Sequence, residues 1–439
     1  MKQFKTTNIL LVVLITLLTY PLLELFIPIN LAGSLNRSSN SAKVESFTFE
    51  KWTNGSFQES VQSFVNDNIG LFSLFIRTHN QIEYSLFENI YTGNVVKGKE
   101  NYLFEADYIK THLGEDFSGI HKIQETTKAI KRLQDTLTAM GKSFTFVLAS
   151  GKASYYPEYI PDQQIADSTN YEFYSKEFKN EEINHINCVT WFQKMKDSLG
   201  HYLFPMYGIH WSHFGAMLVT DSLVKYHEQK FNWNLPNMEI LSTEISEKTK
   251  FYDNDIAHSM NLFKTVEPFP HMKYPTIKWE KKNAKHDKKR MLIIGDSFTW
   301  DIHKNSGMSE KSFDRVDFWY YNQIVNASIA NDGKILGGLP VLTRHINLHK
   351  KLNDFDGVII VSNEPNLIYG GWGIAQDFMG IILDSTYVPK RRNNAYLLEQ
   401  CKSKKEWRNG LQHLADQREI SLDSMIAIYL HDQNFNPSN

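Results

Sequence analysis

A chain of 439 residues, 42% of them hydrophobic, is long enough to bury a large core in one big domain with appendages, or in two domains. Its 47 basic and 49 acidic residues leave a net charge of −2, which excludes the electrostatic footprint of a nucleic-acid binder. Its 2 cysteines, Cys188 and Cys401, exclude a disulfide framework and a CxxC metal pattern and leave room for at most one bridge.

The chain opens with Lys2 and Lys5 ahead of the apolar run ILLVVLITLLTYPLLELFIPI over residues 9–29. At about 1.5 Å per residue this run is long enough to cross a hydrocarbon core of about 30 Å, although Pro21 and Glu24 interrupt its second half. It is therefore expected to be a transmembrane helix, with a cleaved signal peptide as the alternative. The positive charge at its start leaves that end in the cytoplasm and the remaining chain outside. Residues 1–33 thus form a membrane anchor or signal peptide.

Residues 34–92 are expected to be a polar linker followed by two helices over 57–89 that join near 68–70. A strand, a tight turn at Gly98 and a second strand over 94–109 open the main domain, predicted to span 93–390. Within it, 120–140 has helical spacing closed by Gly141, and a β-rich run with a Gly-Lys turn follows over 142–161. Helical alternation covers 171–199, and a further helix starts near Ser212. Residues 251–263 carry Asp253 and Asp255 ahead of a helical turn. Loop and exposed strand follow over 264–290, where the basic run 281–290 reads as a solvated turn. An apolar strand over 291–295 precedes an aromatic segment at 316–322, a helix near 341–352 and a strand at 356–365. Residues 391–439 form a charged tail that is helical in parts. Helices alternating with apolar strands indicate a layered α/β domain.

The chemistry centres on MLIIGDSFTW, residues 291–300. An apolar strand that stops at Gly295-Asp296-Ser297 delivers a serine to the edge of a sheet, which makes Ser297 the candidate nucleophile. A helix N-cap at Asp296 or Ser297 is the alternative use of the same residues. His210, on the loop before the Ser212 helix, is the candidate base. His210 and His213 at i, i+3 also fit a metal pair, but no third ligand has identifiable spacing, and no metal is expected.

Five segments, taken in order, resemble the motif blocks of the SGNH-hydrolase-like alginate O-acetyltransferase family of the bacterial periplasm. They are NVVKGKENYLF (94–104), FTFVLASGKASYYPEYIP (144–161), YGIHWSHFGA (207–216), MLIIGDSFTW (291–300) and GVIIVSNEPNLIYGGWGI (357–374). The resemblance covers about residues 57–380. It implies a three-layer α/β/α flavodoxin-like (SGNH-hydrolase-like) domain with circularly permuted motif order, the histidine block preceding the serine block. It also implies a periplasmic, membrane-anchored O-acetyltransferase that works without a cofactor. Such an enzyme moves acetyl groups onto hydroxyls of an exported polysaccharide, beside a membrane-bound O-acyltransferase that supplies the acyl group.

Carried over residue by residue, Ser297 matches the nucleophile and His210 the general base. The acidic residue expected two positions before the histidine is Gly208 here. The group that orients His210 is then Asp255 or Asp253, or a backbone carbonyl; without any of these the chain is a catalytically impaired glycan-binding assembly protein. The backbone N–H of Ser297 or Phe298 is the expected oxyanion donor, and Asn363 and Glu364 are candidate substrate contacts beyond an apolar strand. An esterase or deacetylase using the same Ser-His pair is the competing activity, since only acceptor binding and water exclusion separate it from a transferase.

Overall fold

The computed structural model describes the chain apart from residues 1, 25–32, 34, 36–43, 45, 69–70, 162–167, 267–269, 327–333, 385–394 and 432–439. Its strands, in chain order, are β1 (Val95–Lys97), β2 (Leu103–Glu105), β3 (Ser143–Ala149), β4 (His185–Asn187), β5 (Met238–Ser246), β6 (Met272–Trp279), β7 (Arg290–Gly295), β8 (Arg315–Tyr320), β9 (Ile324–Asn326), β10 (Val341–Leu342) and β11 (Gly357–Asn363).

A 7-stranded sheet runs in the order β10-β9-β8-β7-β11-β3-β4. The strands from β8 to β4 are mutually parallel, and β9 and β10 extend the β8 edge antiparallel. Strands β3 and β11 are buried along their whole length, as parallel strands covered on both faces must be. Alternation sorts the side chains into two faces. Phe144, Phe146, Leu292, Ile294, Trp319, Val358 and Ile360 join one core cluster with Ile130 and Leu133 of the 120–139 helix, Phe178, and Phe378. On the other face Thr145 meets His227 of helix His213–Phe231. Helices therefore cover both sides of the sheet, giving an α/β/α arrangement. The chain adds β4 beside β3 in one direction and β8 beside β7 in the other, and β11 fills the gap between β3 and β7. That reversal puts the switch point of the strand order, where open α/β sheets take ligands, beside the carboxyl ends of β7 and β11.

This domain belongs to a compact unit of Gly93–Ala257, Val266–Arg392 and His431–Asn439. The other unit comprises Met1–Thr92, His258–Thr265 and Asn393–Leu430. Within it, helix Phe72–Phe87 holds the 258–265 segment, because Asn80 Nδ2 donates to the Met260 carbonyl at 2.8 Å and Arg77 Nη1 to that of Leu262 at 3.1 Å. The C-terminal helices Ala395–Ser403 and Lys405–Gln417 belong to this same unit.

Several expectations need correction. Among the described residues no helix is long and apolar enough to cross a membrane, so the transmembrane reading of 9–29 is not supported. The N-terminal helix Lys2–Glu24 spends its first two turns on Lys2, Lys5 and Asn8, with Pro21 and Glu24 near its end. Residues 25–29 of the expected span lie outside the described residues. Only the first part of 142–161 is strand; Lys152–Tyr155 is a helical turn. The aromatic segment at 316–322 lies largely in β8, where Phe318 and Trp319 are fully buried. The 341–352 helix begins only at Leu348, where the Asn347 side chain caps it. Cys188 and Cys401 are both free and buried.

Candidate active site

Ser297 stands two residues past the end of β7, half-buried at the sheet's carboxyl edge. The turn requires glycine at 295, since a Cβ there would lie 2.0 Å from Thr299 Oγ1 and 3.0 Å from the Val361 carbonyl oxygen. Asp296 is fully buried and acts as a strut. Its Oδ1 accepts the Phe298 N–H at 3.1 Å, while Oδ2 accepts the Asn363 N–H at 2.8 Å and Asn366 Nδ2 at 2.9 Å. The end of β7 is thereby tied to the end of β11, and the serine is held where the two strands meet. Burial raises the Asp296 pKa and these hydrogen bonds oppose the rise.

His210 reaches this serine from 87 positions upstream, with Nε2 at 2.8 Å from Ser297 Oγ. On its far side Nδ1 lies 2.8 Å from Asp255 Oδ2. The other Asp255 oxygen accepts the Ile209 N–H at 2.9 Å, so both carboxylate oxygens are engaged by one short loop. The acceptor on Nδ1 places the neutral ring's proton there and leaves the Nε2 lone pair facing the serine hydroxyl. Burial alone pulls the His210 pKa down, but the Asp255 charge and hydrogen bond, with Asp301 and Asp296 behind them, outweigh it and the pKa is raised. Packing fixes the ring: Phe298 lies 4.9 Å from His210 and 5.1 Å edge-on from the buried Trp211.

The geometry also accounts for Gly208. A Cβ at that position would meet Pro205 Cγ at 2.7 Å and the Asp253 carbonyl oxygen at 2.9 Å. The 253–255 turn occupies the space an acidic side chain at 208 would need, and that same turn presents Asp255. It is anchored at two points. Asp253 Oδ1 accepts the His213 N–H at 3.2 Å, and the Ala257 N–H donates to the Tyr207 carbonyl at 3.2 Å. Burial raises the Asp253 pKa to about 7, against the pull of its hydrogen bonds.

The remaining candidates separate from the relay. Asp253 faces His213 and Tyr274 rather than His210. The Phe298 N–H is taken by Asp296, whereas no hydrogen bond from the Ser297 N–H is found among the described residues, which leaves Ser297 as the available oxyanion donor of the pair. Asn363 directs its amide to the Tyr108 hydroxyl at 2.7 Å and caps the following turn. Glu364 is buried, accepting the Gly151 N–H at 2.5 Å and the Ser154 hydroxyl at 2.7 Å, so it serves the neighbouring loop rather than an open surface. His213 stacks on Phe251 at 3.7 Å, with Nδ1 3.9 Å from Asp301 Oδ1. Among the described residues no group of three or more His, Cys, Asp or Glu side chains could hold a metal. Sequence reasoning passed over Lys152 and Tyr108, whose only signals are that Lys152 lies within one motif block and Tyr108 just beyond another.

Residues 95–301, which carry His210, Asp255 and Ser297, match the family model of the SGNH hydrolase-like domain of acetyltransferase AlgX. The match covers somewhat less than half of the chain, and this segment is similar to the SGNH hydrolase-like domain of that family. Solved structures similar to the chain include the O-acetyltransferase domain of Pseudomonas putida AlgJ, 14% identical over 71% of this chain and 99% of that one, with a TM-score of 0.41. Bacillus cereus PatB1 with a sulfonyl adduct is 11% identical over 62% and 97%, with a TM-score of 0.40. Pseudomonas aeruginosa AlgX is 11% identical over 65% and 68%, with a TM-score of 0.39. No curated protein matches the chain in sequence.

Proposed function

We propose that this protein is an O-acetyltransferase that passes an acetyl group through Ser297 to hydroxyls of an exported or cell-surface polysaccharide. The observation that carries the reading is the Ser297–His210–Asp255 relay, two contacts of 2.8 Å, inside an acetyltransferase-family segment. In the first half-reaction Ser297 Oγ attacks the acetyl carbonyl of the donor ester while His210 Nε2 takes its proton. Asp255 stabilises the imidazolium, and the Ser297 N–H faces the developing oxyanion. His210 then returns the proton to the leaving alkoxide, and the acetyl group stays on Ser297. In the second half a sugar hydroxyl gives its proton to His210 as its oxygen attacks the acyl-serine carbonyl; the bond to Ser297 Oγ then breaks, His210 returns the proton to Oγ, and the sugar leaves as the acetyl ester.

Asp255 favours this reading over that of an impaired binding protein, because the acid absent from position 208 is supplied from another segment. The domain is taken to act outside the cytoplasmic membrane. Lys2 and Lys5 ahead of an apolar stretch support export, and the family resemblance supports a membrane-bound O-acyltransferase as acyl supplier. The test is incubation of the purified chain with an acetyl ester, with and without an oligosaccharide acceptor, followed by mass spectrometry. Acetyl on Ser297 that moves to the sugar supports the transferase. Acetate release unaffected by acceptor would make it an esterase, and no serine adduct would remove both.

A further inference from the structure

Lys152 carries a buried cation that the relay above does not use. It follows β3 in the first turn of Lys152–Tyr155, is 1% exposed, and its Nζ donates to three carbonyl oxygens: Leu103 at 2.6 Å, Met206 at 2.7 Å and Gly208 at 2.8 Å. Three acceptors match the three N–H bonds of an ammonium group, whereas a neutral amine would leave one carbonyl unmet. Burial pulls the lysine pKa well down and the Asp255 charge opposes the fall.

The Gly208 carbonyl and the Ile209 N–H belong to the same peptide unit. Its oxygen accepts from Lys152, and its hydrogen is donated to Asp255 Oδ1 at 2.9 Å. A continuous chain therefore runs from the lysine through that peptide to Asp255, His210 and Ser297. We propose that Lys152 is a positioning residue: it clamps the 206–208 backbone to β2 and, through the Gly208–Ile209 peptide, aims the hydrogen bond that orients Asp255 toward His210. A buried ammonium without a carboxylate partner is costly unless every donor is met, which makes the position intolerant of change. Arginine does not replace it, since a planar fork cannot address three carbonyls converging on one point. Hydrogen bonds in such a chain polarise one another, so removing the cation weakens the peptide's grip on Asp255 as well as the loop's position.

This inference rests on the proposed role of the relay, and the experiment separates the two. Full-length Ser297→Ala, Lys152→Met, Asp255→Asn and Lys152→Met/Asp255→Asn are compared for acetyl release from p-nitrophenyl acetate and for cooperative thermal unfolding. Ser297→Ala should abolish the serine-dependent rate; if it does not, the reading of the site itself fails. Lys152→Met should unfold cooperatively and lose about 10- to 100-fold, mainly in kcat. In the Asp255→Asn background the same change should cost less than about threefold, because residues acting as a unit are not additive. An undiminished cost in the double variant, or a Lys152→Met rate within threefold of wild type, overturns the inference. Should Lys152→Met fail to fold, the ¹⁵N-labelled Lys152 ammonium resonance of the otherwise native protein decides the matter. It should shift with Asp255→Asn and not with Ser297→Ala, and an unmoved resonance refutes the coupling.

Discussion

Asp255→Asn tests the relay most directly. In the native site one carboxylate oxygen accepts from Ile209 and the other faces His210 Nδ1. Asparagine has a single acceptor oxygen. If that oxygen keeps the Ile209 bond, the amide NH₂ points at Nδ1 and drives the ring proton to Nε2, where the base can no longer accept from Ser297. If the amide flips, two donors confront each other at Ile209. In either arrangement the charge that supports the imidazolium is gone. Opposite charges centred about 4 Å apart at an effective dielectric of about 20 attract by about 4 kcal/mol. At about 1.4 kcal/mol per tenfold, this corresponds to about three orders of magnitude in rate. The tautomer effect places the loss at 10³- to 10⁴-fold, on the order known for a serine-protease triad aspartate. The assay is kcat and kcat/KM for p-nitrophenyl acetate, with the folded state checked by thermal unfolding. A folded Asp255→Asn variant within about threefold of wild type, while Ser297→Ala is inactive, would refute the assignment.

Three further outcomes follow from the same geometry. Gly208→Asp should not rescue Asp255→Asn and should lower the melting temperature, because its Cβ falls 2.9 Å from the Asp253 carbonyl oxygen and the overpacking costs about 1–3 kcal/mol; recovered activity in the double variant would contradict this. Because the His210 pKa is raised, kcat/KM should fall as pH drops through a value above the ordinary histidine value of about 6.5, and an acid limb at or below that value would count against the Asp255 contact. The linked stability has the matching sign: the contribution of His210 is full below its unfolded pKa and is lost as pH rises through the folded one. Burial lifts the Glu364 pKa from 4.5 to about 7, so its contribution to stability is present below the lower value and lost on the way to the higher. Glu364→Gln should remove that part of the pH dependence of the melting temperature while keeping the shape, and an unchanged slope would show that the carboxylate ionises freely.

Much of this site is legible because its parts are local. The strand ending at Gly295-Asp296-Ser297 announces itself as an apolar run meeting a residue that a Cβ would exclude, and the loop ahead of the Ser212 cap marks where His210 stands. The aromatic strand Arg315–Tyr320 is harder to see, since Asp317 and Tyr320 break the apolar run, and its burial depends on partners far along the chain such as Phe378, which stacks on Trp319.

Sequence by itself determined the layered α/β class, the order of the histidine and serine blocks, and the narrowing of the orienting acid to the 253–255 segment as one option. Spacing along the chain could not choose between Asp253 and Asp255. Both lie on one tight turn, and which carboxylate faces the imidazole depends on how that turn docks. The tertiary structure decided it by filling the space beside Gly208 with the Asp253 backbone, turning the Asp253 side chain to His213 and Tyr274, and leaving Asp255 against His210. The underlying reason is that a catalytic relay is defined by distances of about 3 Å between atoms far apart in sequence. Here contacts separated by 45 and 87 positions are set by packing against Phe298 and by the clamp of Lys152, neither of which any local pattern encodes.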